Sequence, residues 1–333
     1  MTGLLTALLA VVVLGALAAF GVGAGMAPAF GIYIPYAAVV IFAVFFVTKV
    51  LRWATSPVPF AIPTTGGQQY SLPWIKHQKF DSPATGWQTF IRMALEVLCF
   101  RSLFRNTKLD NRTAEGRVGY GSAKALWLFA LMFHYSFLVI FLRHFRFFLD
   151  PVPFPITGIE FVDSILQIAA PTLYLTDVFF IIAVCFLLAR RIYDAKVAYI
   201  SLFQDFFPLF LILGIAVTGV WMRYFSKVDV IAVKELARGL VTFHPVIPPN
   251  VDSTFYIHLF LVCVLWAYFP FSKLMHMGGV FLSPTRNLPN NTRMVRHINP
   301  WNDPSIKPHS YEDYENDFRE KMIEAGLPVD KEA

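Results

Sequence analysis

The chain has 333 residues and a formal net charge of +6, and by length alone it could hold two soluble domains. Its composition excludes them: 56% of residues are hydrophobic, only 15% are charged, and the mean hydropathy is strongly positive, the balance of a polytopic membrane protein. In such a chain the placing of Lys and Arg sets orientation, so the positive charge is no sign of nucleic acid as a partner.

The first residues, MTGLLTALLAVVVLGALAAF, lack a basic leading segment and a small-x-small cleavage pattern. They read as a first membrane helix rather than a signal peptide. Six apolar segments are long enough to cross roughly 30 Å of hydrocarbon. They run about 3–25, 29–53, 123–148, 165–190, 204–225 and 254–279. The polar stretch at about 54–122 carries Lys76, Lys79, Arg92, Arg101, Arg105, Lys108, Arg112 and Arg117, just after Lys49 and Arg52. Arg190, Arg191 and Lys196 lie between the fourth and fifth segments, and Arg286, Arg293 and Arg296 follow the sixth. The positive-inside rule assigns these three regions, and with six spans both termini, to the cytoplasm. The opposite connections, around 26–30, 149–164 and 226–253, hold few basic residues. This predicts a multi-pass protein of the cytoplasmic membrane.

Within the large loop, GWQTFIRMALEVLCFRSLFRNTK has helical periodicity, with Arg92, Glu96, Arg101 and Arg105 on or near the polar face. It reads as an interfacial helix over about 86–108, or as a docking platform for a cytoplasmic partner. VIAVKELARGLV is amphipathic in the same sense and suits the membrane surface. The tail, about 280–333, opens Pro/Asn-rich and ends acidic in YEDYENDFRE, too polar to pack alone. The three cysteines, Cys99, Cys185 and Cys263, form no CxxC and no CxxCH, so they read as small buried hydrophobes.

The chemistry lies in the histidines. His77, His244, His297 and His309 fall in loops or the tail, whereas His134 and His144 fall in the third apolar segment and His258 and His276 in the sixth. Ionisable groups inside a membrane are costly and usually functional. Three roles fit imidazoles there: hydrogen-bonded glue between helices, a proton relay, or axial ligation of b-type haem iron. Topology discriminates among them. The third and sixth segments run in opposite directions, so each gives one imidazole to each half of the membrane. Two facing pairs follow, His134 with His276 towards the cytoplasm and His144 with His258 towards the outside, as two stacked bis-histidine haems require. The helix arithmetic fits in part. His258 and His276 share a face, but a ten-residue separation leaves His134 and His144 about 80° apart. The axial rises also differ, roughly 15 Å against 27 Å, which tilted haems or a kink at Pro270 could absorb. Arg143 and Arg146 beside His144, and Arg223 with Lys227 at the end of the fifth segment, are candidate partners for haem propionates; snorkelling to the interface is the plain alternative.

The spacing His-x9-His on one helix and His-x17-His on the last resembles the gamma-subunit family of respiratory nitrate reductase, whose members carry two haems b on five helices. The resemblance covers about 120–280, with one additional helix at the N-terminus. SPVPFAIPTTGGQQYSLPWIK, RMALEVLCFRSLFRNTK, RHFRFF and WNDPSIKPHSYEDYENDFREKM are similar to a narrower group, the DsrM family of membrane cytochromes b in the DsrMKJOP complexes of dissimilatory sulfur metabolism. The resemblance implies an all-α integral membrane bundle of six transmembrane helices holding two stacked haems b. In that bundle residues 1–54 are two N-terminal spans, 55–122 a cytoplasmic loop with an amphipathic helix, 123–279 the four-helix dihaem core and 280–333 a cytoplasmic tail. It implies that His134, His144, His258 and His276 are the axial ligands. It also implies electron exchange with menaquinone or another membrane quinone. The implied soluble partner is a cytoplasmic iron–sulfur subunit resembling heterodisulfide reductase (DsrK-like), acting on the sulfur carrier DsrC and docking on the basic loop and the tail. Six-coordinate iron has no open site, so the chain is an electron wire with no catalytic residue of its own. Quinol oxidation would serve sulfite reduction, and the reverse flow sulfur oxidation. The nitrate reductase family has a lysine near its outer haem, but DPVPFPITGIEFVDS has none, so that quinone contact does not carry over.

Two rivals make different demands. A cytochrome b of another membrane oxidoreductase, of the nitrate reductase, hydrogenase or formate dehydrogenase type, would use the same haems with a different soluble partner, and the loop resemblances point away from it. A proton-coupled transporter would show inverted repeats and several buried carboxylates, whereas Asp177 alone lies deep in an apolar stretch.

Overall fold

The computed structural model describes residues 2–56, 74, 76–112, 116–166, 171–249, 251–291, 305 and 307–330. In chain order the helices are α1 (Thr2–Gly23), α2 (Ile34–Ala54), α3 (Gly86–Cys99), α4 (Arg101–Arg105), α5 (Lys124–His144), α6 (Phe154–Asp163), α7 (Leu175–Tyr193), α8 (Ala195–Ile200), α9 (Phe203–Trp221), α10 (Val230–Val241), α11 (Ser253–Tyr268), α12 (His276–Leu282) and α13 (Tyr311–Glu324). A π-helical turn, Ala29–Tyr33, leads into α2, and another, Met222–Ser226, extends α9. Among the described residues five stretches are long and apolar enough to cross a membrane: Thr2–Gly23, Ala29–Ala54, Lys124–Phe147, Phe203–Ser226 and Ser253–Phe271. The fourth expected span differs. The helix begins at Leu175 rather than near 165, and its 19 residues carry Asp177 in the first turn and Arg190 and Arg191 in the last.

The chain forms two compact units, residues 1–56 with 90–287 and residues 57–89 with 288–333. In the first unit α1, α9 and α11 pack on one another, α2 lies against α11, and α7 joins α9 to α5. The core between them is built from Val11 of α1, Phe180 and Val184 of α7, Phe206 and Leu211 of α9, and Leu261 and Leu265 of α11. A second cluster joins Ala18 and Phe30 to Leu236 of α10 and to Tyr256 and Phe260 of α11. Lipid is as apolar as these side chains, so close packing rather than water exclusion holds such helices together, and small residues belong at the crossings. Ala7 and Ala18 on α1 are fully buried. A Cβ on Gly214 would stand 3.3 Å from Val11 Cγ1 and 3.5 Å from Leu261 Cδ1.

The loop between the second and third spans holds more structure than its polarity suggested. The expected helix over 86–108 stops at Cys99, because Phe100 takes a left-handed φ of 50° and α4 restarts at a new angle. Such a conformation in a bulky residue persists only where its surroundings fix it. Here α5 does so: Trp127 Nε1 donates to the Cys99 carbonyl at 2.7 Å and the Tyr135 hydroxyl to the Leu98 carbonyl at 2.9 Å, taking two carbonyls that the broken helix releases. A hairpin then departs from the all-helical expectation. β1 (Thr107–Arg112) pairs antiparallel with β2 (Arg117–Ser122), Leu109 facing Tyr120. Its base is tied to the start of α8 by Lys108 and Asp194, 3.0 Å apart, and the lysine's hydrogen bond holds that carboxyl below the usual carboxylate range.

The sixth expected span is not continuous. α11 ends at Tyr268, two 3-10 turns follow at Phe269–Phe271 and Lys273–Met275, and His276 opens α12. Pro270 removes a backbone donor, and Ser272, extended at φ −113° and ψ 174°, turns the chain before its hydroxyl accepts from Leu274 N. Among the cysteines only Cys263 is buried; Cys99 and Cys185 are exposed. In the second unit Asn290 bonds to Ser82 and Pro83, and α13 opens with a capping box between Ser310 and Asp313. Part of the tail, 292–304 and 306, lies outside the described residues.

The crossing at Gly214 makes the first prediction. Gly214→Ile should lower the thermal unfolding temperature in detergent, at a cost of ~1–3 kcal/mol for overpacking. An unchanged melting curve would mean that α1 and α11 have room to move apart there.

Candidate functional site

The four membrane histidines meet in two pairs. The rings of His134 on α5 and His276 at the start of α12 have their centres 6.0 Å apart, with planes at 81°. Those of His144 at the end of α5 and His258 on α11 are 6.4 Å apart, with planes at 12°. The helices that bear them are not each other's main neighbours: α5 leans on α7, and α11 on α1, α2 and α9. The imidazoles therefore reach across an interval between two groups of helices.

Each ring has its Nδ1 occupied. His134 Nδ1 lies 2.7 Å from the Ala130 carbonyl, His144 Nδ1 2.6 Å from that of Ile140, and His276 Nδ1 2.8 Å from that of Lys273. A carbonyl only accepts, so these nitrogens carry the proton. His258 Nδ1 is 3.0 Å from the Thr218 hydroxyl. That hydroxyl has its own acceptors in the carbonyls of Gly214 at 2.8 Å and Ile215 at 3.0 Å, so it accepts from His258. All four rings are the same tautomer, with a bare Nε2 lone pair, the arrangement that metal-bound histidines adopt. Gly219 lets α9 approach closely, since a Cβ there would stand 3.3 Å from His258 Cε1.

The spacing tests what could lie between the rings. Two metal–imidazole bonds of about 2 Å, with each ring centre set a little over an ångström behind its nitrogen, put the centres roughly 6.5 Å apart. Both pairs are close to that value. Among the described residues no group of three or more His, Cys, Asp or Glu could hold a bare metal ion. Two opposed nitrogens suit an ion that brings its own equatorial ligands, as haem iron does. The residues present fit that group.

The arginines near His144 are engaged. Arg143 is buried, and its guanidinium pairs with Asp177 and lies 3.1 Å from Asp163 through Nε, an ion-pair contact without hydrogen-bond alignment. Arg143 also stacks on Tyr174 at 3.7 Å, and Arg223 covers the same ring at 4.1 Å. Arg146 pairs with Glu160 at 2.8 Å. Arg223 donates to the Thr172 carbonyl at 2.8 Å and has no carboxylate partner among the described residues. Of the three candidate propionate partners, Arg143 is thus already balanced by two carboxylates. Asp163 also caps α7, accepting from Thr176 N at 2.8 Å and from the Thr176 hydroxyl at 2.6 Å. Sequence reading singled out Asp177 but missed Asp163 and Thr218. Asp163 lay in what looked like a loop, and a threonine in an apolar helix gives no signal of its own.

At the His134 pair the surroundings are aromatic. Phe100, the residue of the strained junction, sets its ring edge-on to His134 at 4.9 Å, and Phe133 does the same at 5.1 Å.

The family model for the nitrate reductase gamma subunit matches residues 87–297 of the chain. The chain is also similar to a protein of Archaeoglobus fulgidus named Hdr-like menaquinol oxidoreductase cytochrome b-like subunit, with 46% identity over 288 residues, 84% of this chain and 85% of the other. A protein of the same name from Archaeoglobus profundus is 43% identical over 275 residues, 80% of this chain and 81% of its own length.

Replacing Arg143 tests the buried network. Arg143→Met leaves the buried Asp163 and the partly buried Asp177 without their cation and should destabilise the protein by ~3–5 kcal/mol, whereas Arg146→Met, at a half-exposed pair, should cost far less. Equal, small shifts in unfolding temperature for the two variants would show that Arg143 is not the organising charge.

Proposed function

The chain belongs to the nitrate reductase gamma-subunit family, and from that premise we propose that it is a dihaem cytochrome b carrying electrons from menaquinol to an iron–sulfur subunit on the cytoplasmic side. The single observation that supports this best is that the four imidazoles, each with Nδ1 hydrogen-bonded, meet in two pairs with ring centres 6.0 and 6.4 Å apart. His134 and His276 would hold the inner haem b, and His144 and His258 the outer. When bound, each haem supplies one-electron carriage by six-coordinate iron. The protein's part is to hold and orient. Four Nδ1 hydrogen bonds fix the ring planes and raise the basicity of the ligating nitrogens. Arg223, with no carboxylate partner among the described residues, would pair with the propionates of the outer haem; Arg146 is engaged by Glu160, and Arg143 keeps the surrounding helix ends in register through Asp163 and Asp177.

α7, the fourth in chain order, brings the spans to six in this reading. Its two arginines lie at the cytoplasmic end, where the positive-inside rule wants them, and Asp177 is neutralised at the other. Both termini then face the cytoplasm, and the protein is a multi-pass component of the cytoplasmic membrane. The name borne by the two archaeal relatives supports menaquinol as the electron donor and a heterodisulfide-reductase-like partner. The loop and tail resemblances carry the reading further, to the DsrM role in a DsrMKJOP-type complex. There a DsrK-like subunit docks on the loop of residues 55–122 and on the tail, and passes electrons towards DsrC.

Two experiments test this. A reduced-minus-oxidised visible spectrum with haem assay should give two b-type haems per chain, and His144→Ala should retain one. A well-folded preparation without haem would overturn the reading, and two unchanged haems in the variant would overturn the pairing. Deleting residues 301–333 should reduce co-purification of the iron–sulfur partner, and full recovery of that partner would remove the tail's docking role.

A further inference from the structure

His276 is held differently from the other three ligands. His134 and His144 lie within α5, and His258 lies within α11. Each is therefore oriented by an unbroken helix. His276 follows a break of two short turns, and its Nδ1 donates to the carbonyl of Lys273, three residues back in the second turn. The direction of that imidazole is therefore set by whatever fixes Lys273.

Lys273 is fixed from its other end. Its Nζ lies 2.7 Å from Oδ1 of Asp205 on α9. Asp205 is buried, with its side chain 6% exposed, whereas that of Lys273 is 67% exposed. Asp205 Oδ2 accepts from Leu202 N at 3.1 Å, closing the first turn of α9, and Arg191 at the end of α7 stands 3.8 Å from Oδ1. One carboxylate therefore ties the start of α9, the end of α7 and the turn whose carbonyl orients the ligand. The other side-chain hydrogen bonds of that turn are local, Ser272 to Phe269 O and Leu274 N, while Leu274 and the buried Met275 pack inward, so among the described residues Asp205–Lys273 is the turn's polar link to another helix.

We propose that Asp205 is a positioning residue for the inner haem, acting through Lys273 to hold the His276 imidazole nearly perpendicular to that of His134. The inference rests on the haem reading above. Its consequence is an asymmetry between the two sites. The angle between two axial imidazole planes sets how far the iron's two π-type d orbitals are split, and so the spread of the g values of the ferric ion. Perpendicular planes, as at 81°, give small splitting and a large maximal g; nearly parallel planes, as at 12°, give the ordinary rhombic spectrum. The inner haem depends on Asp205 for its angle, and the outer haem, held by α5, α11 and Thr218, does not.

The test is electron paramagnetic resonance of the oxidised full-length protein, as isolated and as Asp205→Asn and Lys273→Met. Lys273→Met alters an exposed side chain and guards against a folding failure of the first variant. The wild type should show two low-spin signals, one strongly anisotropic. Both variants should move that signal towards the rhombic one and leave the other unchanged. The two substitutions remove charges of opposite sign, so a purely electrostatic effect would move the inner potential in opposite directions without altering its g values, and that outcome overturns the proposal. So do unchanged signals in both variants, or equal changes at both haems, which would mark a general loss of structure. A wild type without haem signals would instead remove the haem reading, and is distinguishable from all of these.

Discussion

Placing four imidazoles among apolar helices is tolerable only if every ring nitrogen has something to do. A ring has two nitrogens, and in a region without water each unsatisfied one is expensive. Here the Nδ1 of every ring is turned inward to a carbonyl or hydroxyl of its own surroundings. Three of those acceptors are main-chain carbonyls within four residues, two in α5 and one in the turn before α12, so the local backbone also sets the tautomer. What remains is a set of Nε2 lone pairs on rings that meet two by two between α5 and the α11–α12 segment. The hydrogen bonds thus define both the protonation state and the direction of the donors, and the rest of the bundle serves to keep the two groups of helices at the right separation.

The two ends of the bundle achieve this by different means. Around His144 and His258 the structure uses charge. Arg143 is paired with Asp163 and Asp177, stacks on the Tyr174 ring that Arg223 also covers, and so locks α5, α6 and the start of α7 together. Removing water from such a network makes it strong when complete and costly when broken. Around His134 and His276 it uses mainly backbone geometry and aromatics, with the Asp205–Lys273 ion pair behind the break. The left-handed Phe100, the carbonyls taken up by Trp127 and Tyr135, and the turn at Ser272 shape that end. The strained and broken segments gather at the His134 end of the bundle, whereas the charge network gathers at the opposite ends of α5 and α7.

Much of this was legible in the sequence. Hydropathy gave six apolar segments, five of which are long apolar helices among the described residues, and antiparallel direction paired His134 with His276 and His144 with His258, whose rings do lie together. What escaped it depended on contacts between segments distant in sequence. Asp163 sits in a stretch too polar for a span and too short to read as a helix, yet α6 forms there and presents the carboxylate to Arg143 and Thr176. The hairpin at 107–122 was hidden because a two-stranded sheet with a polar turn has the composition of a loop. The helix break at Phe100 leaves no trace, since nothing about phenylalanine predicts a positive φ. Arg143 and Arg146 showed their charge but not that acids from α6 and α7 had already claimed them.

The mismatch in axial rise, roughly 15 Å between the histidines of α5 against roughly 27 Å if the sixth segment were one straight helix, is where sequence and structure meet most closely. A proline kink bends a helix axis but hardly shortens it. The structure instead ends α11 at Tyr268, and the extended Ser272 sends the next turn in a new direction, so the eighteen residues from His258 to His276 do not advance along one axis. Breaking a helix inside a membrane frees backbone groups that must be paired again. Ser272 takes up the carbonyl of Phe269 and the amide of Leu274, and His276 itself takes the carbonyl of Lys273. The break that brings His276 opposite His134 thus also supplies the acceptor that fixes its tautomer, and the Asp205–Lys273 ion pair anchors that break to α9. Spacing, tautomer and anchor at this ligand depend on one seven-residue interruption, so a substitution that healed it into continuous helix would lose all three together.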